Sequence, residues 1–75
     1  MPKLPVISGK DCIKVLAKAG FRIESTKGSH VVLVSKTGKK VTVPLHSTLD
    51  RGTLRSGIIK RIGMTVQEFI DLLNK

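Results

Sequence analysis

A spacing of three to four residues governs the hydrophobic pattern near the start of the chain. Ser8 precedes this run as an N-cap, Asp11 lies three residues later beside the positive helix terminus, and Gly20 follows the run as a stop. The pattern predicts a first helix over residues 9–19, after an extended lead-in over residues 1–7. The apolar positions of this helix are Cys12, Ile13, Leu16, Ala17 and Ala19.

The hydrophobic period then changes to two. Alternating or β-branched runs are separated by a turn at residues 26–28 and by a glycine-containing connection at residues 36–39. The second connection is that of a β-hairpin, so the strands on either side of it are antiparallel. Three strands are predicted, over residues 21–25, 29–35 and 40–44.

Two helical patterns complete the chain after a loop. Gly63 ends the first of them, and Thr65 with Glu68 forms a capping box that opens a short last helix. The first is expected over about residues 52–62, with the apolar stripe Leu54, Ile58, Ile59 and Ile62.

The predicted order of elements is α-β-β-β-α-α. It indicates an α+β fold, in which a three-stranded antiparallel sheet packs on helices over one face. This is the order of the double-stranded-RNA-binding domain with one short additional helix. The length of 75 residues provides for a single domain, residues 1–75.

The central strand has two possible phases. Either Val31 and Leu33 or Val32 and Val34 join the side chains that face the helices. The larger Leu33 favours the first phase, which sends His30, Val32 and Val34 to the open face of the sheet. Valines exposed beside a basic surface indicate a partner interface. The other side chains expected to face the helices are Phe21, Ile23, Val41 and Val43.

Charge narrows the class of partner. Fourteen Lys and Arg against five Asp and Glu give a net charge of +9, which favours a polyanion, above all nucleic acid. An acidic protein would satisfy the same field. An anionic membrane fits less well, because the basic residues are scattered along the chain. The only aromatic residues are Phe21 and Phe69, which disfavours base stacking and favours recognition of backbone and groove shape.

The cellular compartment is expected to be the cytoplasm. Cys12 is the only cysteine, so no internal disulfide forms. The first nine residues lack the apolar core of a signal peptide, and no apolar run is long enough to span a bilayer.

His30 is the leading candidate for chemistry. It follows a glycine turn at the start of the central strand, with Lys27 and Ser29 as neighbours. RNA is cleaved without metal when its 2′-hydroxyl attacks the adjacent phosphorus, which needs an acid and a base that work near neutral pH, and cations for the phosphoryl oxygens. DNA lacks that hydroxyl. A strand histidine that only makes a surface hydrogen bond is the alternative.

Other candidates are weaker. His46 is a possible second acid or base, although a loop histidine that bonds nearby backbone is the better interpretation. Arg51 and Arg55 are expected to contact phosphate, with free N–H groups at Gly52 and Thr53. Lys39, Lys40, Lys60 and Arg61 form charge runs that are usually solvated faces. No metal-ligand spacing is present, so no cofactor is expected.

Four segments together show a family resemblance. The combination of GSH before four apolar residues, then V-P-x-H, then G-T-L-R resembles the HicA (YcfA-like) toxin family. One departure is Gly57 within the second helix, which costs about 1 kcal/mol against alanine. The segments are LAKAGF, KGSHVVLV, VTVPLH and GTLRSGIIKRIGMTVQEF, which cover roughly residues 16–69.

The resemblance implies a fold similar to the double-stranded-RNA-binding domain and the activity of an mRNA interferase, an endoribonuclease that cuts transcripts without the ribosome. It implies that His30 is the catalytic histidine, that His46 matches the family's second histidine, and that a HicB-type antitoxin blocks the site. The alternative is a non-catalytic or decayed RNA-binding module of the same fold.

Overall fold

The computed structural model describes residues 4–75 and shows the α+β architecture expected from the sequence. Residues 4–8 form no regular element, and the first three residues of the predicted lead-in lie outside the described part of the chain. The elements are α1 (Gly9–Lys18), β1 (Arg22–Lys27), β2 (His30–Val34), β3 (Lys40–Pro44), a π-helical segment (Thr53–Ile59) and α2 (Val66–Leu73).

Both α-helices begin where the sequence places their caps. Ser8 Oγ accepts a hydrogen bond from Asp11 N at 3.1 Å, and Gly20 follows α1 with a φ of +96°. At α2, the Thr65 side chain accepts from Glu68 N at 3.1 Å, and Glu68 Oε1 accepts from Thr65 N at 3.0 Å. The predicted N-cap and capping box are therefore confirmed.

The sheet is antiparallel in the order β1-β2-β3. Its first hairpin differs from the sequence-based boundaries, because β1 continues through Lys27, which pairs with His30. Gly28 and Ser29 alone form the turn. Gly28 has a φ of +55° and Ser29 does not have a positive φ, the pattern that a type II′ turn requires.

The phase of β2 is the one that the sequence favours. Val31 and Leu33 are buried, whereas His30 is exposed and Val32 and Val34 are half-buried. Because directly paired residues share a face, Val41 opposite Leu33 also points to the helices. The opposite face of the sheet, here called the open face, presents His30, Val32 and Val34 from its central strand.

Ile23 has the orientation expected from the sequence, but it is not buried. Ile23 is paired with the buried Leu33 and so faces the helix side, yet its side chain is 56% exposed. Every residue of β1 is exposed, because α1 and the π-helical segment pack mainly against β3, the strand at the opposite edge of the sheet. A β-bulge between Ile23 and Ser25 also bends this edge strand.

The second predicted helix is a π-helix and is shorter than expected. Lys60 N donates to Arg55 O at 2.9 Å, five residues back, and a turn replaces the last predicted turn of helix. The wider π turn places Leu54, Ile58 and Ile59 together in the core. The resulting core under the sheet includes Leu16, Leu33, Val43, Leu54, Ile58 and Phe69.

A hydrogen-bonded junction joins the start of α1 to the loop after β3. Gly9 N donates to His46 O at 2.9 Å, and Leu49 N donates to Ile7 O at 2.7 Å. A Cβ atom on Gly9 would overlap the carbonyl oxygen of Pro44 and lie 3.1 Å from the Cα of Leu45. The absence of a side chain at Gly9 therefore permits the close approach of α1 to β3.

Gly9→Ala is expected to lower the free energy of unfolding by about 1–3 kcal/mol, because the added methyl group overpacks a backbone contact. Chemical denaturation monitored by circular dichroism measures the change. An unaltered midpoint would contradict the close contact between Gly9 and Pro44.

Gly57→Ala is the matched substitution and is expected to have the opposite sign. A Cβ on Gly57 would meet only the Thr53 methyl group, at 3.8 Å. The alanine should raise the free energy of unfolding by about 0.5–1 kcal/mol through its lower conformational entropy in the unfolded chain. Destabilisation in the same denaturation assay would show that the π-helical segment needs glycine.

Candidate nucleic-acid interface

His30 stands at the corner where the first hairpin meets the open face. It is the first residue of β2, and its neighbours across the sheet are Lys27 on β1 and Pro44 on β3. Its side chain is exposed, as the sequence predicts. A molecule that lies on the open face of the sheet therefore has direct access to the imidazole.

Lys27 and Ser29 adjoin His30 for different structural reasons. Lys27 is directly opposite His30, and such pairs have Cβ atoms about 4.5–5.5 Å apart. Ser29 is held by its backbone, since its carbonyl oxygen accepts a hydrogen bond from Leu45 N at 2.6 Å. The tight turn thus brings residues that carry a cation, a hydroxyl and an imidazole together within four consecutive positions.

His46 lies at the same end of the sheet as His30. It comes two residues after Pro44, which is the partner of His30 in the sheet. The backbone carbonyl of His46 accepts a hydrogen bond from Gly9 N at the start of α1. Its side chain is exposed. The bond to nearby backbone is therefore made by the main chain of His46, which leaves the imidazole facing solvent.

Arg51 and Arg55 form a second basic cluster. They line a shallow concavity together with Leu4 and Gly52, and both arginines are exposed. Asp50 Oδ2 accepts a hydrogen bond from Thr53 N at 3.2 Å. The expectation of a free N–H group at Thr53 is therefore wrong, because a neighbouring carboxylate caps this end of the helical segment. In the described part of the chain, Gly52 N has no hydrogen-bond partner, so the two guanidinium groups and this N–H remain for phosphate.

The structure divides the predicted site residues into two separate groups. His30, Lys27, Ser29 and His46 share one end of the sheet, whereas Arg51 and Arg55 lie at the start of the π-helical segment. Within residues 4–75, no hydrogen bond joins the groups. One continuous substrate would have to span the surface between them.

A third set of charges, which the sequence pattern did not single out, lies on the open face. Arg61 Nε donates to the Lys40 carbonyl oxygen at 3.3 Å, and Lys40 Nζ binds Glu24 Oε1 at 3.1 Å. Alternation along β3 places Lys40 on the same face as His30 and was a usable signal. The position of Arg61 could not be read from the sequence, because it depends on how the π-helical segment packs beside β3.

The cysteine and the possible metal ligands do not form a further site in the described part of the chain. Burial raises the pKa of the Cys12 thiol to about 12, so this cysteine remains protonated inside the core. In the described part of the chain, His, Cys, Asp and Glu side chains do not gather in groups of three or more that would suit a metal ion. No helix in residues 4–75 has the length and apolar character needed to cross a bilayer.

One comparison with known proteins identifies a family for this chain. A comparison with curated protein sequences gives no match. The family model described as the HicA toxin of bacterial toxin–antitoxin systems matches residues 9–64, from the start of α1 to the turn after the π-helical segment. That match includes the first hairpin with His30, the open face and the Arg51–Arg55 cluster, and it covers most of the chain. The protein therefore belongs to the HicA toxin family of bacterial toxin–antitoxin systems.

Proposed function

We propose that this protein is a metal-independent endoribonuclease, an mRNA interferase, that cuts RNA with His30. The observation on which the proposal rests is the placement of an exposed histidine opposite Lys27 at a tight hairpin, on the open face of a strongly basic domain. Membership of a toxin family supports a growth-inhibiting role for that activity.

The reaction uses the nucleophile that RNA itself contains. The 2′-hydroxyl oxygen forms a bond to the adjacent phosphorus, and the bond from phosphorus to the 5′-oxygen of the next nucleotide breaks. A base removes the proton of the 2′-hydroxyl, and an acid gives a proton to the leaving 5′-oxygen. The products are a 2′,3′-cyclic phosphate and a free 5′-hydroxyl. His30 acts as one of these two groups, and Lys27 stabilises the charge that develops on the phosphoryl oxygens.

His46 is the candidate for an auxiliary role. It lies at the same end of the sheet as His30, on a loop that the hydrogen bond between Gly9 and His46 holds against α1. An RNA backbone bound across this corner would approach both imidazoles. His46 would then supply the second proton transfer or position the strand.

RNA is bound chiefly through its backbone. Lys27 and Ser29 contact the phosphate at the cleavage site, and Arg51 with Arg55 contacts phosphate farther along the strand. The net charge of +9 supports this mode, because neutralising phosphates releases counterions and makes affinity depend on salt.

The physiological partner is a HicB-type antitoxin, and the compartment is the cytoplasm. An antitoxin that covers the corner around His30 would exclude RNA from the imidazole. The exposed basic surface requires acidic or hydrogen-bonding groups on the covering protein. Inhibition therefore follows from occupation of the site, without any change in the fold.

A non-catalytic RNA-binding module is the second candidate. Within residues 4–75 no hydrogen bond is made by the His30 imidazole, so no protein group orients the ring. Catalytic histidines usually have such a partner, although substrate can provide it. A cleavage assay distinguishes the two functions, since a protein that only binds RNA leaves it intact.

His30→Ala is expected to abolish RNA cleavage and growth arrest while leaving the fold unchanged, because the side chain is exposed. Loss of a proton-transfer group should reduce the cleavage rate by about 10²–10⁴-fold. The measurement is cleavage of a labelled transcript by purified protein, with circular dichroism for each variant.

His46→Ala is the control, because it removes the other histidine at the same corner. It is expected to reduce the cleavage rate less than His30→Ala does, which would identify an auxiliary role for His46. Equal cleavage by the wild-type and His30→Ala proteins would reject the catalytic assignment. Binding of RNA without cleavage by the wild type would favour the non-catalytic module.

The double substitution Arg51→Gln with Arg55→Gln is expected to weaken RNA binding similarly for all sequences. It should also reduce the slope of log affinity against log salt by about 1 for each phosphate contact removed. Fluorescence anisotropy at several salt concentrations measures both quantities. Lys36→Gln with Lys75→Gln removes the same charge at other exposed positions, and an equal effect would show that only net charge matters.

A further inference from the structure

We propose that a groove on the open face holds the nucleotide next to the cleaved phosphate, with Arg61 binding the phosphate of that nucleotide. The inference rests on the proposed ribonuclease function and extends it by assigning a substrate subsite. The groove lies between β3 and the π-helical segment. Its lining residues are Val32, Lys40, Val41, Thr42, Gly57 and Arg61.

The groove lies beside His30 along the strands. Val32 is two residues beyond His30 in β2, and Thr42 precedes Pro44, the partner of His30, by two residues. Residues two apart in a strand point to the same face and are about 6.6 Å apart. An extended RNA strand that places its cleaved phosphate at His30 therefore reaches the groove with its neighbouring nucleotide.

A hydrogen bond holds the side chain of Arg61 in an orientation that suits phosphate binding. Its Nε donates to the Lys40 carbonyl oxygen, which anchors the side chain against the edge of β3. The two terminal nitrogens of the guanidinium form no hydrogen bond within the described residues, and the side chain is exposed. A guanidinium held at Nε retains donors that match two phosphate oxygens, at a reduced cost in side-chain entropy.

Of the two basic residues that line the groove, Arg61 has the charge that is not neutralised by an ion pair within the described residues. Lys40 forms an ion pair with Glu24 across the sheet, so its charge is partly neutralised. Arg61 forms no such pair within residues 4–75. An anionic strand lying in the groove is therefore attracted mainly by Arg61, while the Lys40–Glu24 pair borders the end farther from His30.

The floor of the groove suits a nucleoside. Val32 is half-buried and provides an apolar surface, and Thr42 adds a hydroxyl that donates or accepts. Gly57 has no side chain at the wall formed by the π-helical segment, so the groove remains open there. A base that packs on Val32 needs no aromatic partner, consistent with a chain that has only two aromatic residues.

The test uses His30→Ala protein, which preserves the RNA during measurement. A short single-stranded RNA of mixed sequence is titrated by fluorescence anisotropy against this protein with Arg61→Gln or Lys60→Gln added. The two substitutions remove the same charge from adjacent exposed positions, but Lys60 does not line the groove. Arg61→Gln should weaken binding about tenfold and Lys60→Gln by much less, since one charge-assisted contact to phosphate is lost.

A steric pair tests the groove without changing charge. Gly57→Leu fills the wall of the groove and should also weaken binding about tenfold, whereas Ser56→Leu, one residue earlier, should not. Circular dichroism checks the fold of each variant. Should Gly57→Leu unfold, the Arg61 and Lys60 comparison decides alone.

The outcomes separate this inference from the proposed function. Equal binding by the Arg61→Gln and Lys60→Gln proteins overturns the subsite, even if wild-type protein cleaves RNA and His30→Ala does not. Selective loss in Arg61→Gln supports the subsite, even if the wild type proves unable to cleave. Failure of the His30→Ala protein itself to bind the RNA overturns the subsite, and would leave an acidic protein as the partner of this face.

Discussion

The two-residue alternation of the central strand is the constraint on which the rest of the structure depends. Val31 and Leu33 must be buried to complete the core, and the pleat then directs His30, Val32 and Val34 to the other face. A shift of register by one residue would bury the imidazole and expose Leu33. The hydrophobic energy of two buried side chains thus determines that the candidate catalytic group faces solvent.

The helices cover only part of the sheet, and this asymmetry divides structural from functional surfaces. α1 and the π-helical segment contact β3, while β1 remains an exposed edge strand with a bulge. The close contact at Gly9 holds α1 against the end of β3 and fixes the loop that contains His46. One backbone junction therefore stabilises the fold and sets the position of a candidate site residue.

Three basic regions serve different purposes in the proposed reaction. In that proposal, Lys27 would act at the cleaved phosphate, Arg51 and Arg55 would bind the strand at a distance, and Arg61 would bind the phosphate of the neighbouring nucleotide. With only two aromatic residues, the chain would select RNA by this arrangement of charges. The proposed chemistry would depend on the 2′-hydroxyl of the substrate, and the affinity would depend on phosphate charge.

The sequence by itself determined the element order, both helix caps, the phase of β2 and the exposure of His30, because caps and hydrophobic periods act over a few neighbouring residues. It also contained the family motif around residues 28–30. It could not determine that Ile23 stays exposed, since that depends on which strand the helices cover. It missed the π-helical segment, where the core required a wider turn than the α-helical period. The Asp50 cap on Thr53 spans only three residues and was a usable signal in the sequence. The placement of Arg61 beside Lys40 was decided by tertiary structure, because it results from the way that separate segments pack together.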